Sequence, residues 1–277
     1  MAEPRAVRVK HRWRWGAWLI SAIVLLAVFM LISAGVRAKI MNVEVFLSYL
    51  TSQQVLIGAR NALILGTLAL VVASVIGLVV ALMRVSGNPI LAALSATYVY
   101  FFRGTPMLIQ LLFWFNALPT MFQRVHLAVP FTDIVLLDAP TTAVVTPFVA
   151  ALAGLGLAEG AYMAEIIRAG ILAVDKGQRA AARAIGMTEY QVLRHIVIPQ
   201  AGRIIIPAGG NQYIMLLKST SLASAIGFLE LLRITTDIYS SNFMVVELLA
   251  VAAFWYLVMT AFATAVQTAL EKTFPQR

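Results

Sequence analysis

Cysteine is absent from the 277 residues, which excludes disulfides, iron–sulfur clusters and thiol catalysis. Charge is scarce as well. Asp, Glu, Lys and Arg make up 12% of the chain and apolar residues 61%, far from the roughly one-quarter charged composition of soluble domains. The three histidines, His11, His126 and His195, lack metal-ligand spacing and are read as solvated or interfacial. No GxxxxGK[ST] segment occurs, so the chain cannot cradle nucleotide phosphates as a P-loop does. Gly154-x-Gly156 is followed by Glu159 where a dinucleotide fingerprint needs glycine, and no acid–base or nucleophile constellation emerges. The chain is therefore read as no enzyme by itself, binding no cofactor or metal.

Long uncharged runs are abundant. Gly16–Val36 carries no charge over 21 residues, about 31 Å as a helix, enough to cross a bilayer. Its basic lead (Arg5, Arg8, Lys10, Arg12, Arg14) would suit a signal peptide, but the run is too long and no clear small-x-small cleavage site follows. It is read as a retained span. Five more are expected: Val55–Met83, Ile90–Leu118, Thr142–Met163, Ile204–Leu217 and Val245–Ala269. The second and third exceed what an upright helix needs, so each must tilt or break. The fifth is short and anticipates an irregular continuation.

The net charge of +9 is distributed as a membrane orientation signal rather than a nucleic-acid footprint. With the N-terminus inside, fourteen of the 21 Lys and Arg fall on the cytoplasmic side, among them Arg84, Arg168, Arg179, Arg183 and Arg194, and five outside. The expected architecture is an all-α integral membrane protein of about six transmembrane helices, N-in and C-in. Small residues recur every fourth position at Ala69, Ala73, Gly77 and Ala81, and again at Ala150, Gly154 and Ala158. Such stripes allow close helix approach in lipid, although abundant alanine alone would also produce them.

The segment Asp175–Ala201 reads as structure rather than tether. Asp175 can cap a helix running through alanine-rich 179–185, and Gly186 supplies the left-handed residue that ends it. Thr188 and Gln191 have capping-box spacing for a second helix, Glu189–Val197, which Pro199 is expected to stop. Here a family becomes recognisable. Gly177-Gln178-Arg179-Ala180-Ala181-Ala182-Arg183-Ala184-Ile185-Gly186, followed by Ile196-Val197-Ile198-Pro199-Gln200-Ala201, resembles the EAA loop of ABC importer permeases. The motif spacing is kept, with Ala180 in place of the glutamate and Ile198 in place of leucine. The resemblance implies ATPase coupling through Gly177, Gln178, Ala180, Ala181, Ala182, Gly186, Ile196 and Pro199. The missing glutamate puts one polar contact to the ATPase in question, for which nearby basic residues would compensate.

Phe102-Arg103-Gly104-Thr105-Pro106-Met107-Leu108-Ile109-Gln110 resembles a signature of the polar amino-acid branch of these permeases. Gly160–Ile171, and Asn211 with Leu217-Lys218-Ser219-Thr220-Ser221-Leu222, are similar to its segments on either side of the loop. Pro106 removes a backbone donor and Thr105 resists helix, so the third span is expected to break at Arg103–Pro106. Arg103 then sits near the inner mouth, as an interface anchor or as a gate contact. Glu159 is the acid expected deep within a span, lining a pathway, pairing with an arginine or sitting at an interface. The polar run Lys218–Ser221 is expected to be non-helical, with Ser224–Leu232 re-entering before Thr235–Asn242 emerges.

The resemblance implies a type I permease fold over 55–272, with 1–54 as a basic arm, an extra helix and an external loop. It further implies alternating access in a bacterial cytoplasmic membrane, with a substrate pathway drawn from Glu159, Tyr162, Arg103, Gln110, Asn211, Lys218, Thr220 and Ser221. Two ATPase subunits binding ATP and Mg, a second permease chain and an external amino-acid-binding protein are the implied partners. That protein would meet outer loops carrying Glu44, Asp133, Asp138 and Asp237. An ion-coupled secondary transporter is the competing reading. It requires inverted repeats, and no convincing half-to-half similarity is present.

Overall fold

A computed structural model describes residues 15–37, 41–129, 132 and 135–273. The basic arm with His11, and Lys39, Asp133 and Arg277, lie outside the described residues. The chain opens with α1 (Trp15–Arg37) and α2 (Val43–Leu50), the latter capped by Asn42, whose side chain accepts from the Glu44 and Val45 N–H groups. Ser52 caps α3 (Gln53–Val85), whose 33 residues extend about 50 Å. Next come α4 (Pro89–Gly104), α5 (Met107–Leu112), a π-turn at Phe113–Ala117 and α6 (Leu118–Met121).

Strands β1 (Arg124–Ala128) and β2 (Val135–Pro140) pair antiparallel, with Arg124 opposite Pro140 and a register shift after Leu127. This hairpin adds strand structure to a connection that the hydropathy pattern left as an external loop. Then follow α7 (Thr141–Val144), α8 (Pro147–Leu172), α9 (Lys176–Ala184) and α10 (Glu189–Val192). A π-turn at Leu193–Val197 leads into α11 (Ile198–Ser219), a 3-10 segment at Thr220–Ile226, α12 (Leu231–Asn242) and α13 (Val245–Thr273).

Among the described residues, α3, α8 and most of α13 are long and apolar enough to cross a membrane unaided. The series ending in α11 and its 3-10 segment, bent by 47° against α12, would make a fourth crossing if taken as one span. Trp18–Ala27 and Met107–Met121 are shorter apolar helices. The fold is helical throughout its core.

Helices α3 and α8 form its central pair, and the small residues explain how. Ala69, Ala73 and Ala81 are almost fully buried. A Cβ on Gly77 would stand 2.6 Å from Met163 Cβ and 2.9 Å from Ala164 N, so only glycine admits α8 at this depth. Gly154 of the α8 stripe faces Leu111 and Trp114 rather than α3, and it is Gly156 and Gly160, outside that stripe, that face Val72 and Ile76 on α3. Close backbone approach is thus what Gly77 of the α3 stripe provides.

The expected break in the third span is present. Helix α4 ends at Gly104, Thr105 is extended (φ −108°, ψ 140°) and α5 restarts after Pro106. Two other expectations are corrected. Pro199 does not stop a helix: it lies in the first turn of α11, Ile198 remains helical (φ −58°, ψ −46°), and the chain winds on. The wider π-turn just before it gives the proline ring the room that a regular α-turn denies. Likewise Lys218–Ser221 stays helical, and the real break comes later, at left-handed Gly227 (φ 80°). Each hydroxyl of that run bonds a carbonyl three or four residues back, so the polar side chains satisfy themselves without unwinding the backbone.

Candidate functional site: a capped two-helix loop and the helix ends above it

The loop is built by short-range chemistry. The Asp175 side chain accepts the Gln178 N–H at 3.1 Å, starting α9. At the other end Met187 N–H reaches Ala182 O and Gly186 N–H reaches Arg183 O, the paired closing bonds of a Schellman turn. Gly186 has φ +87°, which side-chain-bearing residues rarely adopt. Thr188 and Gln191 exchange both capping-box bonds, and an Arg183–Glu189 ion pair of 2.6 Å spans the turn. That guanidinium holds the exposed Glu189 carboxyl below the usual carboxylate range, mainly through the direct hydrogen bond.

The loop is also anchored. Val174, Ala182, Val192, Val197 and Ala201 form a small buried cluster beneath it. The Gln200 amide donates to Gln178 Oε1 at 2.6 Å, tying the start of α9 to α11, while Arg179 donates to the Ile171 carbonyl of α8. Gly170 lets α8 and α11 meet, since a Cβ there would collide with Ile205. These contacts tie the loop to both helices.

The coupling set sorts by exposure. Gly177, Gln178, Ala180, Ala181, Gly186 and Pro199 face outward, Ala182 is buried and Ile196 is half-buried. Motif reading missed the tip residues Ile185 and Tyr190, which are 80% and 66% exposed and flank the glycine turn. Their closeness to Gly186 in the chain was the available signal.

The pathway residues do not converge on one cavity. Arg103 and Tyr162 are together, the guanidinium 5.1 Å from the ring centroid, in a cavity of about 450 Å³ that Arg84, Ser95 and Glu165 also line. Gln110 instead serves the helix break: its buried amide donates to the Phe102 and Thr105 carbonyls and to the Thr105 hydroxyl. Glu159 is buried between α8 and α11, where it accepts from Gln212 rather than from an arginine. Asn211 and Lys218 are exposed, Thr220 is fully buried and Ser221 is half-buried.

Glu230 went unnoticed in the sequence and is fully buried. It caps α12 by accepting the Leu232 and Arg233 N–H groups, and accepts the Tyr256 hydroxyl at 2.6 Å. An acid immediately ahead of Leu231-Leu232-Arg233 was the capping signal available. Glu247 is buried too, receiving the Asn42 N–H at 2.7 Å. No group of three or more metal-ligating side chains occurs among the described residues.

Comparison with known proteins gives a consistent result. The family model for the binding-protein-dependent transport system inner membrane component matches residues 73–274. The arginine transport system permease protein ArgU of Corynebacterium glutamicum is 38% identical over 274 residues, covering 99% of this chain and 84% of its own. That alignment reaches into the first fifty residues, which the motif resemblance left out. The glutamine transport system permease protein GlnP of Escherichia coli K12 is 32% identical over 78% of this chain and 90% of its own. Among solved structures, an amino acid ABC transporter with histidines matches with a TM-score of 0.70 at 34% identity, over 82% of this chain and 98% of that one. The MetNI methionine ABC transporter shares the fold at a TM-score of 0.65 and 17% identity, over 82% of this chain and all of that one. The chain belongs to the binding-protein-dependent transport system inner membrane components, the membrane-spanning permease subunits of ABC importers.

Proposed function

We propose that this permease imports polar amino acids by alternating access, driven by a separate ATPase that docks on Asp175–Ala201. The observation carrying this reading is the loop itself: two capped helices, closed by a left-handed glycine, with the first turn of α9 hydrogen-bonded to both α8 and α11. A rigid lever of that kind transmits a push, whereas a flexible connection would absorb it. The amino-acid class is supported by the relatives, which include permeases named for arginine and glutamine transport.

The orientation is N-in and C-in, with the loop in the cytoplasm of a bacterial cell. Two ATPase subunits, carrying ATP and Mg, each need one such loop, so two permease chains form the translocation unit. An external binding protein hands substrate to the outer face. Closure of the ATPases on ATP pushes α9 and α10, and the displacement runs into α8 and α11. The Glu159–Gln212 hydrogen bond joins the same two helices farther along their length. Arg103 and Tyr162 are the inner end of the pathway, where the planar guanidinium suits a substrate carboxylate.

Uptake of labelled arginine and glutamine into proteoliposomes holding the complete complex tests this. Uptake is expected to require the ATPase and ATP inside, and to survive collapse of sodium and proton gradients. Uptake driven by an ion gradient without ATP would overturn it in favour of secondary transport.

A further inference from the structure

A second cavity, also of about 450 Å³, lies between the coupling loop and the ends of α3 and α8. Four arginines, Arg84, Arg168, Arg179 and Arg183, line it against a single carboxylate, Glu189. Glu189 is taken by Arg183, and Arg168 is paired with Glu165 at 2.7 Å. The other two guanidiniums have no carboxylate within ion-pair distance among the described residues: Arg84 donates to the Ala92 carbonyl and Arg179 to that of Ile171. The Arg179 Nε–H is buried without any acceptor. A buried donor without a partner is costly, and so are several cations sharing one pocket. The second cost falls if an anion with several acceptor oxygens occupies the space.

We propose that this cavity binds the phosphate headgroup of an anionic phospholipid from the cytoplasmic leaflet, using Arg84 and Arg179. Planar guanidiniums donate to phosphate oxygens in pairs, and basic pockets at the cytoplasmic ends of membrane helices suit such headgroups. What favours a lipid over a soluble phosphate is the rest of the lining. Val85, Leu172 and Leu193 border the same cavity and are exposed, two of them at the last turns of membrane helices. They provide an apolar flank for acyl chains beside the charged pocket. Because Arg179 and Arg183 belong to α9 and Arg84 to α3, a bound headgroup would hold the coupling loop against the transmembrane bundle.

The lipid assignment rests on the cytoplasmic placement of the loop proposed above, and its test separates the two. The complete complex is reconstituted in phosphatidylcholine with increasing phosphatidylglycerol, and ATP-driven uptake is measured beside the phosphatidylglycerol retained per complex after extraction. The wild type is expected to gain uptake as phosphatidylglycerol rises and to retain the lipid. Arg84→Gln with Arg179→Gln is expected to need several-fold more phosphatidylglycerol for half-maximal uptake and to retain less. Arg84→Lys with Arg179→Lys should keep most of the response, and Arg203→Gln, outside the cavity, should match the wild type. Identical lipid dependence and retention in the Gln variant would overturn the proposal. So would inorganic phosphate replacing phosphatidylglycerol, which would mark a soluble-anion site. Equal loss of uptake at every lipid fraction would do the same, since it would assign the arginines to the ATPase. If ATP-driven uptake were absent even in the wild type, the transport reading would fail, and lipid retention would still decide this one.

Discussion

Gly186→Val isolates the role of the turn in the coupling loop. No atom lies within 4 Å of the position a Cβ would take, so the substitution meets no steric obstacle from neighbours. Its cost is conformational. At φ +87° a β-branched residue sits in the left-handed region, a penalty of about 1–3 kcal/mol. The two closing hydrogen bonds, Gly186 to Arg183 and Met187 to Ala182, depend on that conformation. At 1.4 kcal/mol per tenfold, the ratio of intact to opened turn falls by about 5- to 150-fold. The expected phenotype is uncoupling, read as amino acid imported per ATP hydrolysed in proteoliposomes with matched complex content. Gly186→Asn should lose little, because asparagine tolerates the left-handed region, and Ala180→Ser should be neutral at its exposed position. Normal coupling in the valine variant, or equal damage from Ala180→Ser, would refute the claim that the turn is the critical element.

Other outcomes follow from particular contacts. Gly77→Val should destabilise the complex by about 1–3 kcal/mol through overpacking, because the Met163 Cβ and Ala164 backbone leave no room even for a methyl group. Thermal unfolding in detergent checks this, and an unchanged midpoint would contradict the packing described. Tyr256→Phe removes the hydroxyl that Glu230 accepts, costing about 1–2 kcal/mol, and should lower the same midpoint. The Arg183–Glu189 pair gives a pH dependence. Its contribution is present above the ordinary carboxylate range and is lost as pH falls through the depressed value of Glu189. Coupling should therefore weaken on the acid side in the wild type, and Glu189→Gln should lose that acid-side component.

The parts legible in the sequence were those set by neighbours in the chain. The Asp175 cap, the Gly186 turn and the Thr188–Gln191 box each need fewer than five residues of context, and all formed where the pattern put them. The Thr105–Pro106 break is equally local. What escaped depended on distant residues or on a rarer helix geometry. Pro199 continues a helix because a π-turn precedes it, which no propensity scale encodes. Gln110 looked like a pathway residue until its amide was seen capping the broken helix end. Glu230 acquires its role from Tyr256, 26 residues away on α13. Glu159 found Gln212 across the α8–α11 interface rather than the arginine weighed for it.

The absence of cysteine turns the central claim into a clean measurement. A single Ala181→Cys, on the exposed face of α9, would be the only thiol in the chain. A membrane-impermeant maleimide applied to inverted and right-side-out vesicles then reads both the sidedness and the docking of the loop. Labelling is expected in inverted vesicles stripped of the ATPase, with protection once the ATPase is restored and none from the outer face. Labelling from outside, or equal labelling with and without the ATPase, would contradict the account of this loop as the cytoplasmic lever of an ATP-driven importer.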